Sequence, residues 1–92
     1  GEALFHDAKV ACASCHAGPM STNNQTLDVG TGGAFQVPSL RGLWLRAPYQ
    51  HDGCAATLMA RFDTRCASPA HGQTQGLDEG ALRDLVAYLE TL

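Results

Sequence analysis

Cys12-Ala13-Ser14-Cys15-His16 is where the chain concentrates reactive side chains. Two cysteines separated by two residues and followed at once by histidine form the C-x-x-C-H pattern of c-type haem attachment. The spacing has a chemical reason. Each sulfur adds to one porphyrin vinyl group, and the next residue falls beneath the iron as its proximal ligand. Two other chemistries use similar residues. A redox-active C-x-x-C expects a βαβ setting, which this chain lacks. A structural zinc site needs four ligands, which Cys12, Cys15, His16 and a further histidine would supply. Zinc ribbons and fingers are compact, whereas long loops surround this motif. The pattern therefore predicts one covalent haem c, held by Cys12 and Cys15, with His16 on the iron.

A second axial position then needs a ligand, or stays open as a five-coordinate iron. Met20, Met59, His51 and His71 are the residues with suitable donor atoms. Cys54 and Cys66 lie apart from the haem motif. C-type cytochromes are assembled outside the cytoplasm, where disulfides persist, so a Cys54–Cys66 bridge is expected in place of two buried thiols. It would close a loop of about a dozen residues, worth roughly 3 kcal/mol on the loop-entropy model.

The elements that must position these groups are few. A short helix opens residues 1–16, with Leu4, Phe5 and Ala8 on one side. Residues 17–37 read as loop, rich in Asn, Ser, Pro and Gly and without sustained period. Leu40, Leu43, Trp44, Leu45 and Tyr49 make 38–53 the densest packing segment. Thr57 caps a short helix running through Phe62, and 63–76 is again loop. Asp78 caps the clearest helix, whose Leu82, Leu85, Val86, Leu89 and Leu92 recur at three and four residues. No β-alternation is visible. The elements predict an all-α fold with long loops, and loops that long need something to pack around.

The size and charge of the chain bound its function. With 92 residues, the sequence reads as one domain, 1–92, whose own core is marginal. A hydrophobic fraction of 45 % argues against disorder. A net charge of −3 gives no electrostatic case for binding nucleic acid or an anionic membrane. No run is apolar enough to span a bilayer, and the opening Gly1-Glu2-Ala3-Leu4-Phe5 does not resemble a signal peptide. The sequence reads as a mature protein or an excised domain.

Gly1-x-x-x-Phe5, the C-x-x-C-H motif and the helix Asp84-Leu85-Val86-Ala87-Tyr88-Leu89 together resemble a class I cytochrome c. The resemblance implies a small fold with crossing N- and C-terminal helices and long loops wrapped around the haem, Gly1, Phe5 and Tyr88 filling the crossing. Pro38-Ser39-Leu40-Arg41-Gly42-Leu43 is similar to the P-x-L-x-G stretch of that class. By that likeness the Pro38 carbonyl accepts from the proximal histidine and Leu40 packs on the haem. A more specific likeness runs from Val37 through Leu43, then Ala47-Pro48-Tyr49-Gln50-His51-Asp52-Gly53 and Thr57-Leu58. This block resembles the C-terminal haem domain of bacterial di-haem cytochrome c peroxidases and MauG-like proteins. Those enzymes need two haems, and this chain carries one C-x-x-C-H.

Where that family places its distal methionine, this chain has Arg65, which cannot ligate iron. His71, in the loop where class I cytochromes offer their methionine, is the expected sixth ligand, with Met59 the alternative. The resemblance implies that His51 bonds a propionate or a backbone carbonyl. It makes Arg41 and Arg46 propionate partners, since a guanidinium pairs bidentately with a carboxylate. Trp44 is read as a core or haem-edge packing residue rather than an electron relay. The expected function is electron transfer by a six-coordinate haem in the periplasm or another extracytoplasmic space, as a carrier or electron-entry module more than an enzyme. Its partners would be redox proteins or fused redox domains. The alternative is a peroxidase-like or ligand-sensing domain with an open iron site.

Overall fold

A computed structural model describes residues 1–92. The first helix, α1 (Glu2–His6), is a single turn with Phe5 buried. It stops at Asp7, whose Oδ1 accepts the backbone N–H groups of Lys9 and Val10 at 2.7 and 3.1 Å. That Asx-type turn gives the backbone an alternative to continuing the helix. Those two N–H groups, Val10 first, hold the Asp7 carboxyl below its ordinary value of 3.8. The last helix, α2 (Glu79–Leu89), begins where expected. Asp78 caps it by accepting from the Ala81 N–H at 2.8 Å.

The two terminal helices pack against each other. The Phe5 and Tyr88 rings lie 5.3 Å apart at 57°, a favourable tilted arrangement. Gly1 makes the approach possible, because a Cβ there would sit 1.9 Å from the Asp84 carbonyl oxygen. Phe5, Leu58, Leu85 and Leu89 form the buried cluster, with Cys12, Leu40, Leu43, Tyr49 and Phe62 packed around it. Only 10 of 92 residues are buried. The loops therefore lean on other ties than a large core.

The expected small all-α class I cytochrome c architecture is corrected by the structure. Two α-helices, an antiparallel two-stranded sheet and short 3₁₀ turns stand among loops. Strands β1 (Thr26–Asp28) and β2 (Ala34–Gln36) pair with Leu27 opposite Phe35, inside the segment read as structureless loop. Three-residue strands are too short to show alternation. Their pairing is set by the turn between them, where Gly30 and Gly32 take φ of 75° and 101°. The expected short helix after Thr57 is a 3₁₀ turn, Met59–Phe62, with Thr57 Oγ1 accepting from the Ala60 N–H at 3.1 Å.

Polar ties connect the loops. Thr22 Oγ1 donates to the Val37 carbonyl and Ser39 Oγ to the Met20 carbonyl, each at 2.6 Å. Gln50 Nε2 donates to the Cys66 carbonyl at 2.5 Å. Cys54 and Cys66 form a disulfide. The pairing expected from the extracytoplasmic argument is present.

Candidate haem site

The C-x-x-C-H segment leaves α1 through Ala11, a non-glycine residue at φ 63°, and enters a 3₁₀ turn over Cys12–Ser14. Such left-handed residues carry backbone strain of about 1–3 kcal/mol and concentrate at functional sites. The turn sets Cys12, Cys15 and His16 along one wall of a cavity of about 700 Å³. That volume falls in the roughly 300–1,000 Å³ range of cofactor and small-molecule pockets. Neither cysteine is bridged. Burial keeps the Cys12 thiol above its ordinary pKa, with Arg61 opposing.

His16 is oriented by its own backbone surroundings. Nδ1 lies 3.3 Å from the Ser21 carbonyl, which can only accept, so Nδ1 carries the proton and Nε2 is left as the donor to a metal. Burial lowers the His16 pKa; the Ser21 and Pro38 carbonyls pull the other way. The imidazole is therefore held neutral, the form that ligates iron.

His71 lies across the cavity. Its ring centroid is 6.3 Å from that of His16, with the planes inclined at 38°. Two metal–nitrogen bonds of about 2 Å, plus about 1 Å from each nitrogen to its ring centre, span about 6 Å. The centroid spacing is compatible with one iron held by both rings. Burial first, then Arg61 and His16, bring the His71 pKa down to about 4, so this ring is neutral as well. Its loop is seated by Gln73, whose N–H donates to the Val10 carbonyl at 3.0 Å. Gly72 has φ 81°, and a Cβ there would lie 3.3 Å from that carbonyl oxygen.

The remaining expected residues divide. Pro38, Leu40, Arg46 and His51 line the cavity with Cys12, Cys15, His16 and His71; Arg41, Trp44 and Met59 do not. Arg46 Nη2 donates to the Ser39 and Arg41 carbonyls at 2.5 Å, bracing the Pro38–Arg46 segment. Arg41 turns away and donates to the Pro19 carbonyl at 3.3 Å. Trp44 is 59 % exposed. Met59 is half-buried, and Met20 is exposed. His51 bonds the Thr31 carbonyl at 2.6 Å and stacks on Phe35 with centroids 3.9 Å apart, pinning the hairpin turn.

Two features were not read from the sequence. Leu27 and Phe35 of the hairpin line the cavity, which only strand pairing could place there. Arg61 lines it too, and its Nη2 donates to the His71 carbonyl. A charge set between Leu58 and Phe62 was the available signal for the latter.

The haem fit rests on the two facing imidazoles, the unbridged cysteines and an apolar cavity of suitable size.

No protein-family model matches the sequence. Relatives do. The gamma subunit of hydrazine synthase from Kuenenia stuttgartiensis is 30 % identical across the whole chain, which covers 40 % of that protein. The methylamine utilization protein MauG from Methylorubrum extorquens is 32 % identical across the whole chain, which covers 33 % of it. A cytochrome-c peroxidase from Denitromonas iodatirespirans is 39 % identical over 65 % of the chain and 18 % of its own length. A solved structure of the Kuenenia stuttgartiensis hydrazine synthase, pressurized with xenon, superposes with a TM-score of 0.93 at 27 % identity, over 99 % of this chain and 44 % of that one. The chain thus spans well under half of each relative. The first two alignments run over 140 and 118 positions against 92 residues here, so those relatives carry insertions this chain lacks. These likenesses support haem as the cofactor and a haem-related redox role. The chain is a c-type cytochrome domain resembling MauG-like proteins.

Proposed function

We propose that residues 1–92 form a single mono-haem electron-transfer domain. Cys12 and Cys15 attach one haem c through thioether bonds, and His16 and His71 ligate its iron. The observation that carries this reading is the 6.3 Å separation of the two imidazoles across a cavity that both cysteines line. When bound, the haem supplies one-electron exchange between ferric and ferrous iron.

The chain's own residues do the rest. Ser21 fixes the His16 tautomer through Nδ1. Val10, Gly72 and Gln73 hold the His71 loop against the haem-attachment turn. Leu40, Leu58 and Phe35 exclude water from the cavity, and Arg46 lies on its wall, where a propionate would meet a guanidinium. With His16 and His71 both holding the iron, no position on it would be left for a substrate, which favours electron transfer over catalysis. The partners are redox proteins or redox domains of a longer chain, and the site of action is extracytoplasmic, where thioether attachment and the disulfide are both formed. No helix is long and apolar enough to cross a membrane.

Optical spectra in both oxidation states test the reading. The expected result is a low-spin haem without the weak red band that reports a methionine sulfur on ferric iron. His71→Ala turns it high-spin and opens it to cyanide or carbon monoxide, whereas Met59→Ala leaves the ligation intact. A red band that Met59→Ala abolishes transfers the sixth position to Met59 and keeps electron transfer. A high-spin wild-type haem overturns the reading in favour of the peroxidase-like or ligand-sensing alternative.

A further inference from the structure

Arg61 is the one charged side chain at the cavity that is both largely buried and unpaired with any carboxylate. The single ion pair of the chain joins Arg83 to Glu79, on the exposed face of α2. Arg61 Nη2 donates to the His71 carbonyl, its guanidinium stands 5.1 Å from the centre of the Phe62 ring, and its Nη1 is buried with no hydrogen-bond partner. Salt screens a charge buried to this degree far less than an exposed one. An arginine keeps its charge even where burial lowers its pKa, as it does here.

We propose that Arg61 is a positioning residue that also raises the reduction potential of the haem, by holding a largely buried positive charge beside the His71 ligand. The inference rests on the axial assignment made above. Its physics is direct. Ferric haem carries one more positive charge than ferrous haem, so a fixed cation nearby disfavours the ferric state. Two unit charges about 10 Å apart at an effective dielectric near 20 interact by roughly the free energy of a tenfold change in an equilibrium constant.

The test is a mediated, dithionite-driven redox titration of the haem-loaded protein, with optical spectra taken throughout. Arg61→Gln removes the charge, Arg61→Lys keeps it, and Arg83→Gln removes a remote exposed one. In Arg61→Gln the potential is expected to fall, raising the ferric-to-ferrous ratio at fixed ambient potential about tenfold. Arg61→Lys should hold close to wild type, and Arg83→Gln should not move. An unchanged potential in Arg61→Gln with the ligand spectrum intact overturns the proposal. So does an equal fall in Arg61→Lys, which would assign the effect to lost hydrogen-bond geometry. If Arg61→Gln does not fold, Arg61→Lys decides alone: a wild-type potential supports the proposal and a lowered one overturns it. The spectra keep the two readings separate. A high-spin or methionine-ligated wild-type haem refutes the axial assignment, while the potentials still report on Arg61.

Discussion

Where α1 meets α2, Phe5, Leu85 and Leu89 are buried and the Tyr88 ring lies against Phe5. From Ala17 to Gly76 the chain is nearly twice as long as those ends together, yet its buried apolar residues are Val37, Ala55, Leu58 and Cys66. The ends are held by apolar packing, which acts wherever the surfaces meet. The middle is held by discrete ties: Thr22 to Val37, Ser39 to Met20, Gln50 to Cys66, and the Cys54–Cys66 bridge. Val37 and Gln50 of those ties also line the cavity, and a haem bound there would supply the apolar contact the loops lack. A small domain can build one compact contact from its own residues and borrow the other from a cofactor.

Removing the borrowed part is the strongest way to break this contrast. Cys12→Ala with Cys15→Ala should lose haem retention under denaturing conditions, because the proposed thioether bonds could not form. Hydrogen exchange should then rise across 17–76 far more than across α1 and α2. Uniform loss of protection would show that the halves are not separable in this way.

The opposite half is probed by Leu85→Ala, which empties a site with 0 % exposure. A cost of about 2–5 kcal/mol is expected in chemical denaturation, with the haem spectrum unchanged below the transition. A cost under about 1 kcal/mol would mean the terminal contact is not the apolar anchor described.

Cys54→Ser with Cys66→Ser sharpens the middle region. Opening a loop with a sequence separation of 12 should cost about 3 kcal/mol, with faster exchange concentrated around Gln50 and Cys66. A smaller effect is expected at the helix cap, where Asp78→Ala should cost about 1 kcal/mol and fray the first turn of α2.

The smallest concerns Asp7, which is fully exposed. Its folded pKa is depressed by the Val10 and Lys9 N–H groups, so its contribution is present above 3.8 and is lost as pH falls through the folded value. Thermal melts of wild type and Asp7→Ala should differ near neutrality and converge in acid. A gap that persists once the carboxyl is fully protonated in both states would assign the effect to something other than the carboxylate.

Much of the site was legible because its residues are chemically unusual and closely spaced. Cys12, Cys15 and His16 announce their chemistry within five positions, Pro38, Leu40 and His51 sit in motifs that mark them, and Arg46 lies between two such motifs. Asp78 and the apolar stripe of α2 were equally plain, since a cap and a 3.6-residue period are local properties. The hairpin was not legible: three-residue strands carry no period, and the pairing of Leu27 with Phe35 depends on two glycines adopting positive φ. The turn of Arg41 toward Pro19, and of Arg46 onto the Ser39 and Arg41 carbonyls, was likewise invisible, because two arginines five apart look alike until the backbone bends.

What the sequence alone determined is the chemistry on offer: one haem-attachment motif, four histidines, two methionines and two further cysteines. Which of those groups face each other was decided only in three dimensions. His16 and His71 are far apart in the chain yet 6.3 Å apart in space, because the Gly72–Gln73 backbone docks on Val10, directly before the haem turn. Spacing in sequence can specify a local motif, since a few bonds fix its geometry. A contact between distant segments is set by loop closure and packing, which no single segment encodes.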